Sequence, residues 1–133
     1  MQLTVLPLLA ERKENEFDIF EALENTLQKN ETKLQEGVVI VISTKYISNS
    51  QGRIVDLDKI KASEYGMKIA KEFQLKPGLA EIILRESDKI FGGIGGFVIT
   101  SANNIMAPNA GIDKSNAKKG KAILYPKIGR AHV

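Results

Sequence analysis

The sequence predicts an α+β domain with a mixed sheet and about three helices. Two kinds of apolar pattern predict it. Short β-branched runs bounded by turn residues mark strands, and apolar residues at helical spacing mark amphipathic helices. The two kinds mix along the chain without the strict alternation of a doubly wound sheet. The 133 residues suit one domain with enough chain to bury a real core. No internal repeat, low-complexity tract or evident linker interrupts them.

Gln2–Leu6 reads as a first strand, closed by Pro7. Phe17, Phe20, Leu23 and Leu27 then recur at helical spacing, with Asp18 near the start. This stripe is expected to be core. Gly37 ends a polar connection. Val38–Ile42 is an unbroken β-branched run, the pattern of a strand buried on both faces. Functional groups gather where such a strand ends, here Ser43, Thr44 and Lys45. Asn49-Ser50-Gln51-Gly52 is a turn signal, with a short strand over Arg53–Leu57 after it.

Ala62, Gly66, Ile69, Ala70 and Phe73 share one face of a second helix. Pro77 fits the first turn of a third, whose buried stripe is Leu79, Ile82 and Ile83 and whose end is Ser87 or Asp88. The run Gly92-Gly93-Ile94-Gly95-Gly96 invites a phosphate-loop reading. Such loops precede a helix, whereas the strand Phe97–Ser101 follows here, so a strand-to-strand turn suffices. Asn103-Asn104 is a tight turn. Ile105-Met106-Ala107-Pro108 leads into a polar loop, and Ala122–Tyr125 is the last strand.

That polar loop, Asn109-Ala110-Gly111-Ile112-Asp113-Lys114-Ser115-Asn116, is the most chemically loaded stretch. Asp113 can offer a hard carboxylate oxygen to Mg²⁺ or Mn²⁺. Asn116 can both donate and accept hydrogen bonds, and Gly111 permits a tight turn. The plainer alternative is a turn whose Asp and Asn cap their own backbone. Lys114, Lys118, Lys119 and Lys121 form the densest basic group, suited either to phosphates or to a solvated surface.

Composition narrows the classes. Apolar residues make up 43% and charged residues 26%, ordinary for a globular protein. No apolar run reaches membrane-span length, and the N-terminus lacks the basic flank and cleavage pattern of a secretory signal. With no cysteine, disulfides, thiolate metal sites and cysteine nucleophiles drop out. Net charge is +3, but lysines are interleaved with acids, so nucleic-acid binding is not expected. The expected domain covers residues 1–127. Residues 128–133 break the pattern abruptly, match a translated sequencing adapter and are expected to be a non-native tail. The only histidine, His132, lies there and receives no role.

Four stretches in order resemble the coenzyme F-420-0:gamma-glutamyl ligase family. Ala110–Asn116 is similar to its AG-(I/V)-D-x-S-N signature, and Val38–Ser48 to its strand followed by a lysine. Gln51–Leu57 is similar to its EGR-(I/V)-V-D-L segment, and Ile82–Ser87 to its I-L-x-E-S segment. The resemblance implies the N-terminal part of that ligase fold, incomplete as it stands. It implies addition of L-glutamate to coenzyme F-420-0, a deazaflavin, with GTP and Mg²⁺ or Mn²⁺ and with K⁺ helping. An acyl phosphate would precede the amide. The full-length form is expected to be a cytoplasmic homodimer, without nucleic-acid or membrane partners.

Carried over by position, Asp113 matches the metal-binding aspartate. Asn116 and Lys45 match nucleotide contacts, Ser43 and Thr44 lie in the same stretch, and the turn around Leu9 to Arg12 should approach GTP. No catalytic residue is assigned. Arg53 suits a phosphate or a structural ion pair equally. Asp56 and Asp58 suit a helix cap or a metal, and Glu86 a structural role. Further acidic ligands are expected beyond residue 127, so this polypeptide alone is expected to be inactive. Departures at Asn49 and Gln51, where the family often has a cation and an acid, and at Ile105–Pro108 bear on the acceptor. The alternatives are a non-catalytic nucleotide- or metal-binding module and a small assembly domain whose loop merely caps strands.

Overall fold

The computed structural model describes residues 2–115 and 118–127. Four α-helices and two small antiparallel sheets make an α+β arrangement. The helices are α1 (Ile19–Lys29), α2 (Thr44–Ser50), α3 (Glu64–Glu72) and α4 (Pro77–Glu86). The strands are β1 (Ile54–Asp56), β2 (Lys89–Ile94), β3 (Phe97–Ala102), β4 (Ile105–Pro108) and β5 (Lys121–Ile123). β1 pairs with β5, and β2, β3 and β4 form a meander. The expected mixed sheet is thus replaced by two antiparallel ones among the described residues.

Local chemistry sets the helix starts. The Asp18 side chain accepts from the backbone N–H groups of Phe20 and Glu21 at 2.8 and 3.0 Å, which satisfies two orphan donors of α1. Ser63 caps α3 by accepting from Gly66 N–H at 3.0 Å. Pro77 opens α4, where its missing N–H costs nothing. Gly78 lets α4 close on the turn Leu57–Lys59, because a Cβ there would lie 2.1 Å from the Leu57 carbonyl oxygen.

Helix α4 is the hub of the packing. Leu79, Ile82 and Ile83 join Leu57, Ala122 and Leu124 beside the two-stranded sheet. Ala80 joins Ile69, Ala70, Phe73 and Val98 beside the meander. One helix therefore buries two faces against two sheets, as its apolar density allows. The carboxylate of buried Glu81 ties α4 to α3. Its Oε2 accepts from Ser63 N–H at 2.9 Å and Ser63 Oγ–H at 2.7 Å, and its Oε1 accepts from Arg85 Nε–H at 2.8 Å. The Ser63 hydroxyl bond is the main reason its carboxyl is held below the usual range.

Several expectations are corrected. Gln2–Leu6 and Val38–Ile42 are not strands. Val39 and Val41 are 82% and 91% exposed, not buried on both faces. β propensity needs a partner backbone, and no described strand pairs with either run. Phe20 is 75% exposed, whereas Ala22 and Thr26 are the buried positions of α1. Ser43, Thr44 and Lys45 begin a helix instead of ending a strand. Ile105–Pro108, read as a lead-in, is β4, paired with β3 from Ile99↔Pro108 to Ala102↔Ile105.

The glycine run does lie between strands. Gly92 and Gly93 belong to β2, at a register shift, and only Gly95 and Gly96 make the turn. A Cβ on Gly93 would meet the Phe97 carbonyl oxygen at 2.1 Å, so the close strand approach demands glycine. Asn103 and Asn104 both adopt positive φ, 51° and 61°, as a tight hairpin requires.

Candidate functional site

The loop after β4 is anchored before it presents any chemistry. Asn109 Oδ1 accepts from Val98 N–H at 2.9 Å, and the fully buried Thr100 hydroxyl accepts from Ala110 N–H at 2.9 Å. Both bonds hold the loop against β3. Asn109 and Ala110 take left-handed φ of 48° and 55°, a conformation that costs an alanine about 1–2 kcal/mol and persists because the anchors enforce it. Gly111 has φ of 70° and packs on the Tyr125 ring, where a Cβ would sit 2.9 Å from Cδ2. Asp113 then bridges to β5. Its N–H donates to the Ile123 carbonyl at 2.9 Å, and its carbonyl accepts from Ile123 N–H at 2.8 Å.

Against this frame the Asp113 carboxylate is held from two sides. Oδ1 accepts from Ser115 N–H and from Ser115 Oγ–H, both at 2.7 Å. Oδ2 lies 2.6 Å from Lys45 Nζ, which also donates to Ser115 Oγ at 3.2 Å. The Lys45 bond, followed by the two Ser115 bonds, lowers the Asp113 pKa from 3.8 to about 2. Lys45 and Asp113 side chains are 34% and 31% exposed, so the pair is reachable from solvent.

The N-terminal segment closes on the same region. Tyr46 Oη–H donates to the Glu11 carbonyl at 3.1 Å, and the rings of Phe17 and Tyr46 stand 4.9 Å apart. Glu14 pairs with Lys118 at 3.6 Å. The stretch expected near the nucleotide, Leu9 to Arg12, therefore does lie against the start of α2.

Lys45 and Asp113 are brought together. Ser43 and Thr44 sit exposed at the start of α2, beside Lys45 in sequence, and Ser43 makes no side-chain cap. Asn116 lies outside the described residues, as do residues 128–133. Ser115, to which the sequence alone assigns no role, touches both charged partners. Its signal was the Asp-x-Ser spacing, which places a hydroxyl and an N–H on the preceding carboxylate.

Arg53 turns out to be structural. Its Nε–H donates to the Tyr125 carbonyl at 2.8 Å, and its Nη2 pairs with Glu86 Oε2. Asp56 caps the short turn Leu57–Lys59 through Asp58 N–H at 3.2 Å, while Ser63 caps α3. Gln51 stands where the family often has an acid and uses both ends of its amide, donating to the Lys127 carbonyl and accepting from Lys127 N–H, each at 2.8 Å.

The donor set decides what metal chemistry is possible. Among the described residues no three His, Cys, Asp or Glu side chains gather as a metal cage. Asp113 offers one hard oxygen site with Ser115 Oγ beside it. Mg²⁺ is commonly held by one or two carboxylates plus substrate phosphates, with waters completing the shell. These residues fit an ion that arrives with phosphates, not one caged by protein alone. No helix of the described residues is long and apolar enough to cross a membrane.

The profile of the family F420-0:Gamma-glutamyl ligase matches residues 10–133. Coenzyme F420:L-glutamate ligase of Methanopyrus kandleri is 33% identical over 96 residues, covering 71% of this chain and 38% of that protein. The enzyme of the same name from Methanothermobacter thermautotrophicus is 32% identical over 111 residues, covering 83% of this chain and 44% of that protein. That of Methanocaldococcus jannaschii is 34% identical over 92 residues, covering 68% of this chain and 37% of that protein. The chain thus spans under half the length of the curated relatives it matches.

Proposed function

The chain belongs to the F420-0:gamma-glutamyl ligase family, and on that premise we propose that it carries the nucleotide-contacting part of a GTP- and divalent-metal-dependent amide ligase. The observation that supports this best is the Lys45–Asp113–Ser115 cluster, in which lysine and serine meet across 70 positions of sequence. Lys45 contacts a phosphate of GTP. Ser43, Thr44 and Asn116 complete the nucleotide contacts. Asp113 holds Mg²⁺ or Mn²⁺, with K⁺ as an additional ion. The divalent ion supplies neutralisation of phosphate charge during transfer.

The reaction asks little covalent chemistry of the protein. The acceptor carboxylate takes the γ-phosphoryl group of GTP, giving an acyl phosphate and GDP. The amine of L-glutamate attacks the acyl carbon, the amide forms, and inorganic phosphate leaves with its bonding pair. The amine proton passes to solvent. Positioning and charge neutralisation carry such a sequence, so the lack of cysteine and of an assigned histidine is no handicap. The acceptor is F-420-0 or a related carboxylate-bearing molecule. The working form is a cytoplasmic homodimer.

Calorimetric titration of GTP in the presence of Mn²⁺ tests the site. Asp113→Asn should abolish the metal-dependent heat and leave the folded spectrum intact. GTP binding that ignores both Mn²⁺ and the substitution would refute the assignment. The single carboxylate at the cluster favours one competing account, a non-catalytic nucleotide- or metal-binding module. Incubation with F-420-0, GTP, Mn²⁺ and glutamate bears on the two. A glutamyl mass gain on the acceptor supports the ligase and refutes the module, whereas GTP binding without it is expected of this polypeptide alone on either account.

A further inference from the structure

Lys45 and a divalent ion have the same target. Asp113 Oδ1 already accepts two bonds from Ser115, and Lys45 Nζ stands 2.6 Å from the other oxygen, Oδ2. An ammonium and a divalent cation on one carboxylate oxygen repel each other, so each lowers the affinity of the other. The lysine can leave, because it is a compact charge on a flexible stem and is 34% exposed. The carboxylate cannot swing with it, because Ser115 and the backbone bridge to Ile123 hold it in place. Only a stronger anion nearby would draw the ammonium off, and a polyphosphate is such an anion.

We propose that Lys45 is a tethered stand-in cation, which occupies Oδ2 of Asp113 until nucleotide phosphates draw it away, so that the divalent ion enters with the nucleotide and not before it. This rests on the assignment of Asp113 to the metal and Lys45 to phosphate. It adds an order of binding that neither assignment contains. Ser115 acts as the positioning residue that keeps the vacated oxygen in place. By linkage, the same exchange makes nucleotide and metal each strengthen the binding of the other.

Paramagnetic broadening by Mn²⁺ alone, read at the backbone amides of Asp113 and Ser115, tests it without any need for turnover. Lys45→Met should raise the apparent Mn²⁺ affinity at those amides on the order of tenfold. Lys45→Arg keeps the charge and should leave affinity as in the unmodified chain, while Asp113→Asn should remove the broadening. Retained amide spectra establish that each variant folds. Equal broadening in the unmodified chain and in Lys45→Met would overturn the stand-in role and leave the metal assignment of Asp113 standing. Broadening no greater than in Asp113→Asn for every variant would overturn the metal assignment, and the stand-in role with it.

Discussion

The packed frame around α4 and the chain ahead of α2 use the same apolar vocabulary to opposite effect. Ile83 and Val98 are fully buried, whereas Val39 and Val41 are almost wholly exposed. Nothing in the residue types separates them. The difference is that Val98 lies in β3, which is bonded on both sides, while Val38–Ile42 has no ladder partner among the described residues. Burial is therefore conferred by neighbours, not carried by a residue. The candidate site lies where the packed frame, through Asp113, meets the N-terminal part, through Lys45.

Substitutions at the two ends of this contrast should differ most. Ile83→Ala should cost about 2–5 kcal/mol, since it opens a cavity in a sealed core. Val41→Ala should stay within about 0.5 kcal/mol, as expected of an exposed position. Urea denaturation of the two variants measures this directly. A large loss at Val41 would mean that the extended run is packed after all.

Glu81→Ala comes next. It strips the acceptor from Ser63 N–H and Oγ–H at the junction of α3 and α4, and should cost about 1–3 kcal/mol. The same denaturation series reports it, with hydrogen exchange at Gly66 as the local check. Unchanged protection of that amide would show that Ser63 caps α3 without help from the carboxylate.

A smaller effect than at Glu81 belongs to the site. Asp113 is lowered from 3.8 to about 2, so its stabilising contribution is fully present above the unfolded value and is lost as pH falls through about 2. The pair is partly exposed, and the contribution should be at most about 1 kcal/mol. Stability measured from pH 5 to pH 2 should fall less steeply in Asp113→Asn than in the unmodified chain. Parallel profiles would mean that Lys45 and Ser115 do not hold the carboxylate in solution.

The positions of α1, α3 and α4 were legible because their signals are local. Asp18 and Pro77 stand where helix starts need them, and α3 and α4 follow the spacing of Ile69–Phe73 and Leu79–Ile83. Asn103-Asn104 declared its turn for the same reason, since few residues tolerate two successive positive φ angles. Gln2–Leu6 and Val38–Ile42 carry the apolar runs of strands but form none, because a run of residue types does not name a partner. Phe20 was placed in the core because a stripe at helical spacing fixes a face but not what that face meets.

By itself the sequence determined the α+β class, the starts of α1 and α4, the Asn103-Asn104 turn and the identity of Asp113 and Lys45 as charged groups worth attention. These follow from short-range sterics and hydrogen bonding, which a few neighbouring residues settle. Only the tertiary structure decided that Arg53 and Glu86 are a structural pair and that Lys45 reaches the carboxylate at all. Such contacts join segments distant in sequence. Their geometry exists only once α4 has brought the sheets together and the chain from both sides of α2 has closed on the loop.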